Sequence, residues 1–570
     1  MNNSKQTILV PKPFGNRTKP HRRLTQLCGT LVPIFSKELI PNTELSQKIM
    51  LGVSLPPLVS DTFMNVQYKV EAFFCPLRLC FAGFENWWTS KKSNMLDDPS
   101  DIDDFSSFYA QVFDFIPYAN VPLNGEAQSD SCLQVNPVFA ESVAQNRGLR
   151  PIFGKGTLLN YLGLKYAFDD VDPDAPSQGG FPLNLGKLVA YHLIWQHWYR
   201  APLVQNECFA VPSRGTYDVA NFTAGVIPFL HCNAQSAIVA SNSNENRWKL
   251  ADGCSLFQLR QRNYGFDYFT LGFPSDSQPS MSVQVSNGSF SIASLRASNS
   301  LQQWKELYQI AGNRMVDKCK TYGANLSDGV AQRPIFLGSA TYDVYTSGVQ
   351  VTATNNGGNS NPFSYEAGGR VGNAFGSGSD FIIDHFTAHE PGYIMVIGSL
   401  VPKATYGSGI PRDLTRYTRA GFSQDDLADY PSYMLQNTGN EPIRAYELCF
   451  ANADNLDTIF GYSDKYADWF YDYSDAVGEF GANGSLSAFV LQRKFAKNPA
   501  INSAFLEISP YDMDDITIIS AAVSSFGCQV DIDFDNYYKW PLYPHSMPSL
   551  QNPAYEHGVP VSLHRGGFRF

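Results

Sequence analysis

Strand-like runs stand near both ends of this 570-residue chain, with long stretches of other character between them. Three short alternating runs occupy residues 27–80, and prolines separate them. In the third run Val66, Tyr68 and Val70 alternate with polar residues, which predicts a strand with one buried face. Further apolar runs follow at 392–401 and 516–534. Strands at both ends favour one sheet assembly with elaborated loops over a series of tandem domains.

Two helical patterns lie in the middle of the chain. The first begins after Asn184, which can cap it, and ends before Pro202. The second covers about 294–322, where apolar residues recur at three and four positions before Gly323. Two further tracts, 90–155 and 203–260, are loop-like. A two-sheet jelly roll needs only eight strands, so most of the chain would form insertions that contain several helices.

The first twenty-six residues carry six cations and no acid, whereas the whole chain has 42 Lys+Arg and 53 Asp+Glu. Without this segment the balance is 36 against 53, a net charge of −17. Three prolines and a low apolar content predict a flexible basic arm at 1–26, followed by a single domain at 27–570. The arm would contact a polyanion, unless it is only a solvated tail. Its cations are Lys5, Lys12, Arg17, Lys19, Arg22 and Arg23.

Few charges (17%) and many aromatic residues (14%) describe a surface largely covered by sister subunits, or else an ordinary β-rich protein with a large core. No apolar run reaches the roughly 18 residues of a membrane span, and Met1 leads into a polar segment without a signal peptide. The ten cysteines are scattered without a C-x-x-C pair. We therefore expect free thiols and synthesis in a reducing cytoplasm.

The sequence contains no group of residues that indicates catalysis. His385 and His389 have a zinc-like H-x-x-x-H spacing, but Pro391 and an apolar strand follow, so a helix that would place both rings together is not expected. A nucleophile elbow and a phosphate-binding G-K-[S/T] loop are also missing from the sequence. We expect a protein that is not an enzyme and that uses no cofactor or metal.

Several sequence blocks, in order, resemble the major capsid protein of the Microviridae, the small tailless single-stranded-DNA phages, and especially the gokushovirus branch. The opening LVPIFSKELIPNTEL and the run CPLRLCFAGFENWWT are similar to the family's first strands. KLVAYHLIWQHWYR, NYGFDYFTLGFP and AQRPIFLGS follow in family order. HFTAHEPGYIMVIGSLVPKATYGSGIPR and FGYSDKYADWFY continue the series, and LSAFVLQRKFAKNPAINSAFLEI closes it.

The resemblance implies a viral eight-stranded antiparallel jelly roll, with sixty copies in a T = 1 icosahedral shell around circular single-stranded DNA. It also implies a loop that projects at the three-fold axes, which we place in 203–260 and connect with attachment to a host receptor. Other expected partners are the small DNA-binding and pilot proteins of the virion. The protein would be made in the host bacterial cytoplasm and end in the virion, without contacting a membrane.

Trp195 and Trp198 are the residues we expect at a subunit interface, because both lie off the apolar stripe of Leu188 and Val189. The alternative function is a non-capsid jelly-roll protein that binds a receptor or a carbohydrate through exposed aromatic residues. Such a protein would need no basic arm, so the arm together with the acidic body favours the capsid interpretation.

Overall fold

A computed structural model describes the strand-forming parts of the chain and some of the insertions. The described residues are 14–55, 65–80, 118–121, 157–164, 181–184, 186–208, 232–233, 236–238, 258–274, 333–351, 370–415, 440–455, 458–464, 467–482, 484–495, 497–510 and 528–541.

Nine of the described strands are connected by strand pairing: eight follow one path, and the ninth, His21–Gln26, branches from it. They are β1 (Phe14–Thr18), β2 (His21–Gln26), β3 (Val32–Leu39), β4 (Glu44–Ser54), β5 (Val66–Pro76), β10 (Ile335–Val351), β11 (Arg370–Thr387), β12 (Gly392–Pro402) and β17 (Cys528–Trp540). The short strands are β6 (Tyr118–Val121), β7 (Phe181–Asn184), β8 (Cys232–Asn233), β9 (Ser236–Ile238), β13 (Thr405–Tyr406), β14 (Asn440–Arg444), β15 (Ile459–Asp464) and β16 (Ser474–Asp475).

The described helices are short and lie between strands. They are α1 (Leu77–Cys80), α2 (Leu158–Leu162), α3 (Gly186–Ile194), α4 (Ala467–Phe470) and α5 (Ser503–Leu506), with a π-helical turn at Trp195–Tyr199 that continues α3. Single 3-10 turns occupy Arg412–Thr415, Ala445–Glu447, Phe450–Asn452, Gly478–Phe480 and Ser487–Phe489. None of these helices is long and apolar enough to cross a bilayer.

The nine strands form two sheets of a sandwich. Sheet I has the order β2-β17-β4-β11, with β1 also on β17, and sheet II has the order β10-β5-β12-β3. Every neighbouring pair is antiparallel. Strand β10 links the sheets, because Ile335–Val344 pair with β5 and Tyr345–Val351 pair with β11. Counted along the chain, the eight main strands lie in the orders 1-8-3-6 and 2-7-4-5, which confirms the predicted jelly roll.

Aromatic side chains from the two sheets meet in a common core. The rings of Phe35 (β3) and Phe534 (β17) lie 5.2 Å apart, and those of Phe74 (β5) and Phe386 (β11) lie 4.9 Å apart. A buried polar contact also crosses the sandwich, since the Tyr68 hydroxyl donates to Gln26 Oε1 over 2.9 Å. These contacts fix how the sheets face each other, because interior side chains are packed as closely as in organic crystals.

The strands that the sequence predicted best are those with the clearest apolar patterns. In β5, Val66, Tyr68 and Val70 are buried and alternate with half-buried residues, as predicted. Every residue of β12 is buried, because a second sheet covers one face and the chain between β5 and β10 covers the other. The predicted strand at 516–534 is confirmed from residue 528 onward, and its earlier part lies outside the described residues.

Helix α3 and the π-helical turn form the helix predicted after Asn184. The Gly186 amide donates to Asn184 Oδ1 over 2.8 Å, so Asn184 caps the first turn. The helix packs on sheet II, where the Tyr191 hydroxyl donates to the Leu31 carbonyl over 2.8 Å. The second predicted helix, 294–322, lies outside the described residues.

The chain between β12 and β17 is the β12–β17 insertion (residues 403–527). It forms a second apolar cluster beside the sandwich, together with Tyr268 and Phe269. Phe269 lies 4.8 Å from Tyr406 and 6.5 Å from Phe460, between ring centroids. The sequence did not predict this insertion. Of the two that it did predict, 90–155 and 203–260, the described parts are short: β6 pairs with β7, and β8 with β9.

The prediction of a flexible arm over 1–26 is wrong for residues 14–26, which form β1 and β2 on the edge of sheet I. Both strands pair with β17, so backbone hydrogen bonds order a segment too polar to fold alone. Residues 1–13 lie outside the described part of the chain.

Candidate functional site

The amino-terminal strands place their cations beside a row of carboxylates on β17. Arg17 donates to both carboxylate oxygens of Asp535, with Nε 2.6 Å from Oδ1. His21 bridges two acids, with Nε2 2.8 Å from Asp531 Oδ1 and Nδ1 2.6 Å from Asp533 Oδ1. The acids occupy alternate positions of β17, and their side chains share the outer face of sheet I.

These contacts change the charges that the arm can offer to a partner. The hydrogen bond from Arg17 holds the pKa of Asp535 below its usual range, and the same bond raises the pKa of Arg17. Arg23 Nε lies 3.4 Å from Asp531 Oδ1, although the Arg23 side chain remains 79% exposed. Opposite charges on this face largely cancel, so it is not the basic surface that the composition of the arm indicated.

The other predicted DNA-contacting residues divide into three cases. Arg22 points inward and donates to the carbonyls of Ile34 (2.8 Å) and Tyr161, and burial lowers its pKa. Lys19 is exposed. Lys5 and Lys12 lie outside the described residues.

Trp198 lies at the edge of an aromatic group on the outer face of sheet II. Its ring centroid is 5.8 Å from that of Phe73 and 5.6 Å from that of Phe336, and Nε1 donates to the Pro334 carbonyl over 2.8 Å. The Arg333 guanidinium lies 4.8 Å from the ring centroid. Trp198 is 37% exposed and Phe336 is 40% exposed, so one side of the group faces outward.

Trp195 does not share that position. It is 3% exposed, its Nε1 donates to the Gln261 carbonyl over 3.3 Å, and the Arg260 guanidinium lies 4.4 Å from its ring centroid. The prediction that Trp195 lies at an interface is therefore wrong, because its own subunit covers it. Trp195 follows Leu188 by seven residues, or two helical turns, and the two residues share one face.

Large apolar side chains are exposed along the β12–β17 insertion. Three consecutive aromatic residues, Trp469, Phe470 and Tyr471, are 54%, 72% and 44% exposed. We call the following set the insertion surface: Leu414, Phe450, Ile459, Trp469, Phe470, Tyr471, Val477 and Leu486. Single exposed apolar residues are common in soluble proteins, so these eight residues are a candidate surface for contact with another protein.

A buried carboxylate holds part of the insertion in place beneath this surface. Glu447 Oε1 accepts from the Arg444 amide over 2.8 Å, and Oε2 accepts from the Tyr268 hydroxyl over 3.0 Å. Arg412 Nε lies 3.9 Å from Oε1. Burial raises the pKa of Glu447, although Arg412 and the two donors act in the opposite direction. These bonds join 258–274 to the insertion.

Comparison with known proteins finds similarity to phage capsid proteins. The family model for "Capsid protein (F protein)" matches residues 285–548, which include β10, β11, β12 and β17. The "Capsid protein VP1" of Bdellovibrio phage phiMH2K is 26% identical over 523 residues, which cover 87% of this chain and 89% of that protein. These matches support a phage major capsid protein.

Two further capsid proteins match over shorter segments. The "Capsid protein VP1" of Chlamydia phage 1 is 27% identical over 288 residues, which cover 47% of this chain and 44% of that protein. The "Capsid protein VP1" of Spiroplasma virus 4 is 23% identical over 268 residues, or 46% of each. The names support the resemblance to Microviridae major capsid proteins, and they imply a virion component.

A capsid protein buries part of each subunit against its neighbours, and the insertion surface is a candidate for that contact. The block that contains Trp469, Phe470 and Tyr471 resembles the family's sequence, but the resemblance predicts no role for it. Three adjacent aromatic residues between aspartates, in a segment without strand alternation, could have indicated an exposed aromatic surface. Among the described residues, no three His, Cys, Asp or Glu side chains are placed to hold a metal ion.

Proposed function

We propose that this capsid protein is the subunit of a T = 1 icosahedral shell of sixty copies that encloses a circular single-stranded DNA genome. The observation that carries the proposal is the jelly roll with a large insertion whose apolar residues are exposed in the single subunit. Repetition of one surface by closed symmetry buries that apolar area without leaving free edges. The T = 1 geometry, the sixty copies, the circular single-stranded DNA genome and the gokushovirus branch come from the resemblance alone.

The insertion surface is the proposed contact between copies. Phe450 and Val477 line one cavity of about 580 Å³ together with Gly409, so two exposed apolar side chains border a concave site. Trp469 and Phe470 lie on α4 in the same insertion. Aromatic side chains that fill a neighbour's pocket contribute much of the binding free energy of protein interfaces.

Electron microscopy of the expressed full-length protein tests the shell. We expect closed particles of uniform diameter from the wild-type chain and subunits or small oligomers from a Trp469→Ala, Phe470→Ala variant. Met50→Ala is the matched control, since Met50 is 48% exposed on β4 outside the insertion. If the double variant forms particles in wild-type yield, this surface is not the contact.

The amino-terminal segment is proposed to contact the genome, as the sequence predicted, with a smaller set of residues than the original six. Lys5, Lys12 and Lys19 are the proposed contacts, and Arg23 joins them if phosphate displaces Asp531. Arg17 and Arg22 instead hold the edge strands.

Two further roles are proposed from the resemblance. Residues 203–260 would project at the three-fold axes and bind a host cell-surface receptor. Small DNA-binding and pilot proteins would share the virion, and synthesis would take place in the host cytoplasm. A deletion of 205–258 joined by a short Gly-Ser linker tests the first role. We expect particles that form but adsorb poorly to host cells, and normal adsorption would contradict it.

A further inference from the structure

A basic groove lies where the β12–β17 insertion meets the end of β12. It has a volume of about 550 Å³, and its lining includes Lys403, Arg493, Lys494 and Lys497. The side chains of Lys403, Lys494 and Lys497 are exposed at its rim. Two of these cations, Arg493 and Lys494, are consecutive, and Lys403 directly follows the last residue of β12.

Arg493 forms the floor of the basic groove rather than its rim. Its guanidinium carbon lies 4.3 Å from the ring centroids of both Tyr264 and Phe505, and 5.1 Å from that of Phe495. The group also donates to the Phe505 carbonyl and, over 3.4 Å, to the Tyr406 hydroxyl. Arg493 is thus fixed among aromatic rings, and it adds a positive charge beneath the lysines without having to be ordered by a ligand.

The charge of the basic groove is opposite to that of the chain. The lining has four Lys or Arg and one carboxylate, Glu507, whereas the whole chain has a net charge of −11. Glu507 Oε1 already accepts from Gln205 Nε2 over 2.8 Å and from Ser503 Oγ over 2.7 Å. Glu507 keeps its negative charge, and four cations against one carboxylate leave the groove an excess of positive charge.

We infer that the basic groove binds the phosphodiester backbone of single-stranded nucleic acid, as a second genome contact besides the amino-terminal segment. The inference rests on the proposed function, since it takes the enclosed genome as the ligand. Lysines on one rim attract phosphates as point charges, and the side-chain amide of Asn498 on the same lining can donate to phosphate oxygens. The aromatic rings are occupied by Arg493, so recognition is through the backbone and not through base stacking.

The test is the salt dependence of binding of a fluorescein-labelled dT20 oligomer to the full-length subunit, measured by anisotropy. Replacing Lys403, Lys494 and Lys497 with Gln should reduce the slope of log K against log salt by about 2, from roughly 0.7 per phosphate contact. Between 50 and 200 mM salt, the wild-type protein should lose about 20-fold more affinity than the triple variant loses.

A control with the same change of net charge replaces Lys48, Lys187 and Lys539 with Gln, outside the groove. It should keep the wild-type slope. An rU20 oligomer should show the same loss as dT20 with the groove variant, because the two share a backbone.

Three outcomes overturn the inference. They are no binding of dT20 by the wild-type subunit, the same reduction in salt slope in the groove and control variants, and a reduction in the groove variant with only one of the two nucleic acids. Particle formation by the same variants, seen by electron microscopy, tests the shell separately. Replacement of Lys19 alone tests the amino-terminal contact.

Discussion

Arg262 and Glu71 form a two-fold hydrogen-bonded ion pair on the outer face of sheet II, with Nη1 2.7 Å from Oε2 and Nη2 3.0 Å from Oε1. Tyr199 of the π-helical turn donates its hydroxyl to the same carboxylate, and Ser399 Oγ accepts from Arg262 over 3.0 Å. The pair thus joins three parts of the chain: strand β5, the π-helical turn and residues 258–274. It holds the chain between β5 and β10 onto the sheet.

Arg262→Met should lower the free energy of unfolding by about 3 kcal/mol, because Glu71 would keep its charge in a largely covered position without its cation. Denaturant midpoints of the wild-type subunit and the variant measure this loss. Adding Glu71→Gln to Arg262→Met should restore part of the stability, since the uncompensated charge disappears. Equal losses in the single and double variants would show that the side chains contribute by packing alone.

Gly398→Ala should destabilise the sandwich, because an added Cβ would lie 2.2 Å from the hydroxyl oxygen of Tyr68 on the neighbouring strand. Overpacking of a core costs about 1–3 kcal/mol. Combining the change with Tyr68→Phe removes the clashing oxygen and should recover part of the loss in thermal unfolding midpoint. Gly265→Ala is a control for the glycine substitution itself, at a position with open space. Full stability of Gly398→Ala would show that the strands separate without cost.

Trp198→Ala should reduce particle yield more than it reduces the stability of the subunit, because Trp198 is 37% exposed at the edge of its aromatic group. Trp195→Ala is the contrasting variant: Trp195 is buried, and its truncation should cost about 3–5 kcal/mol of unfolding free energy. Thermal unfolding and sedimentation of assembled material separate the two effects. If Trp198→Ala unfolds as readily as Trp195→Ala, Trp198 serves the core alone.

The attachment of β1 should weaken in acid. The folded pKa of Asp535 is depressed by its hydrogen bond from Arg17, so this contribution is present above the ordinary aspartate pKa of 3.8 and is lost as the pH falls through the folded value. Hydrogen exchange followed by mass spectrometry should show residues 14–18 losing protection as the pH falls below 3.8. The loss should exceed that of β4, which pairs on the other side of β17. In the Arg17→Gln variant, the protection of residues 14–18 should depend little on pH over this range, because the hydrogen bond between Arg17 and Asp535 is already absent.

The strands that the sequence predicted are those whose burial by neighbouring elements appears as an apolar pattern in their own residues. β5 alternates because one face lies in the core, and β12 is continuously apolar because both faces are covered. Helix α3 was predicted for a similar reason, since an amphipathic stripe and a capping Asn184 are local signals.

Strand β2 could not be predicted in the same way. Two of its three inward-facing residues are polar: Arg22 donates to backbone carbonyls, and Gln26 donates to the carbonyls of Thr30 (2.8 Å) and Gly398 (3.0 Å). The segment therefore shows no apolar alternation, although its backbone is paired along β17. Its acidic partners lie more than 500 residues later in the sequence, as the separation of 508 between Arg23 and Asp531 shows, and no local pattern indicates such a contact.

The candidate surface was harder to predict than the fold. An aromatic residue is equally suited to a core or to an interface, so Trp195 and Trp198 could not be separated by type, and helix geometry was needed to place Trp195 beside Leu188. The insertion surface was missed because its residues lie in short 3-10 turns and one-turn helices, which have no period to analyse.

Strand β17 lies between β2 and β4 in the middle of sheet I, and its Asn536 accepts a buried hydrogen bond from Gln47, 489 residues earlier. At about 5–20 residues per second, a ribosome needs roughly 25–100 s after β4 to synthesise β17, the strand that pairs with it. During that time the unpaired edge of β4 can bind other strands, so nascent chains need protection against aggregation. The same delay has a further consequence: a prematurely terminated chain has no complete sheet I, so we expect it to be excluded from assembly.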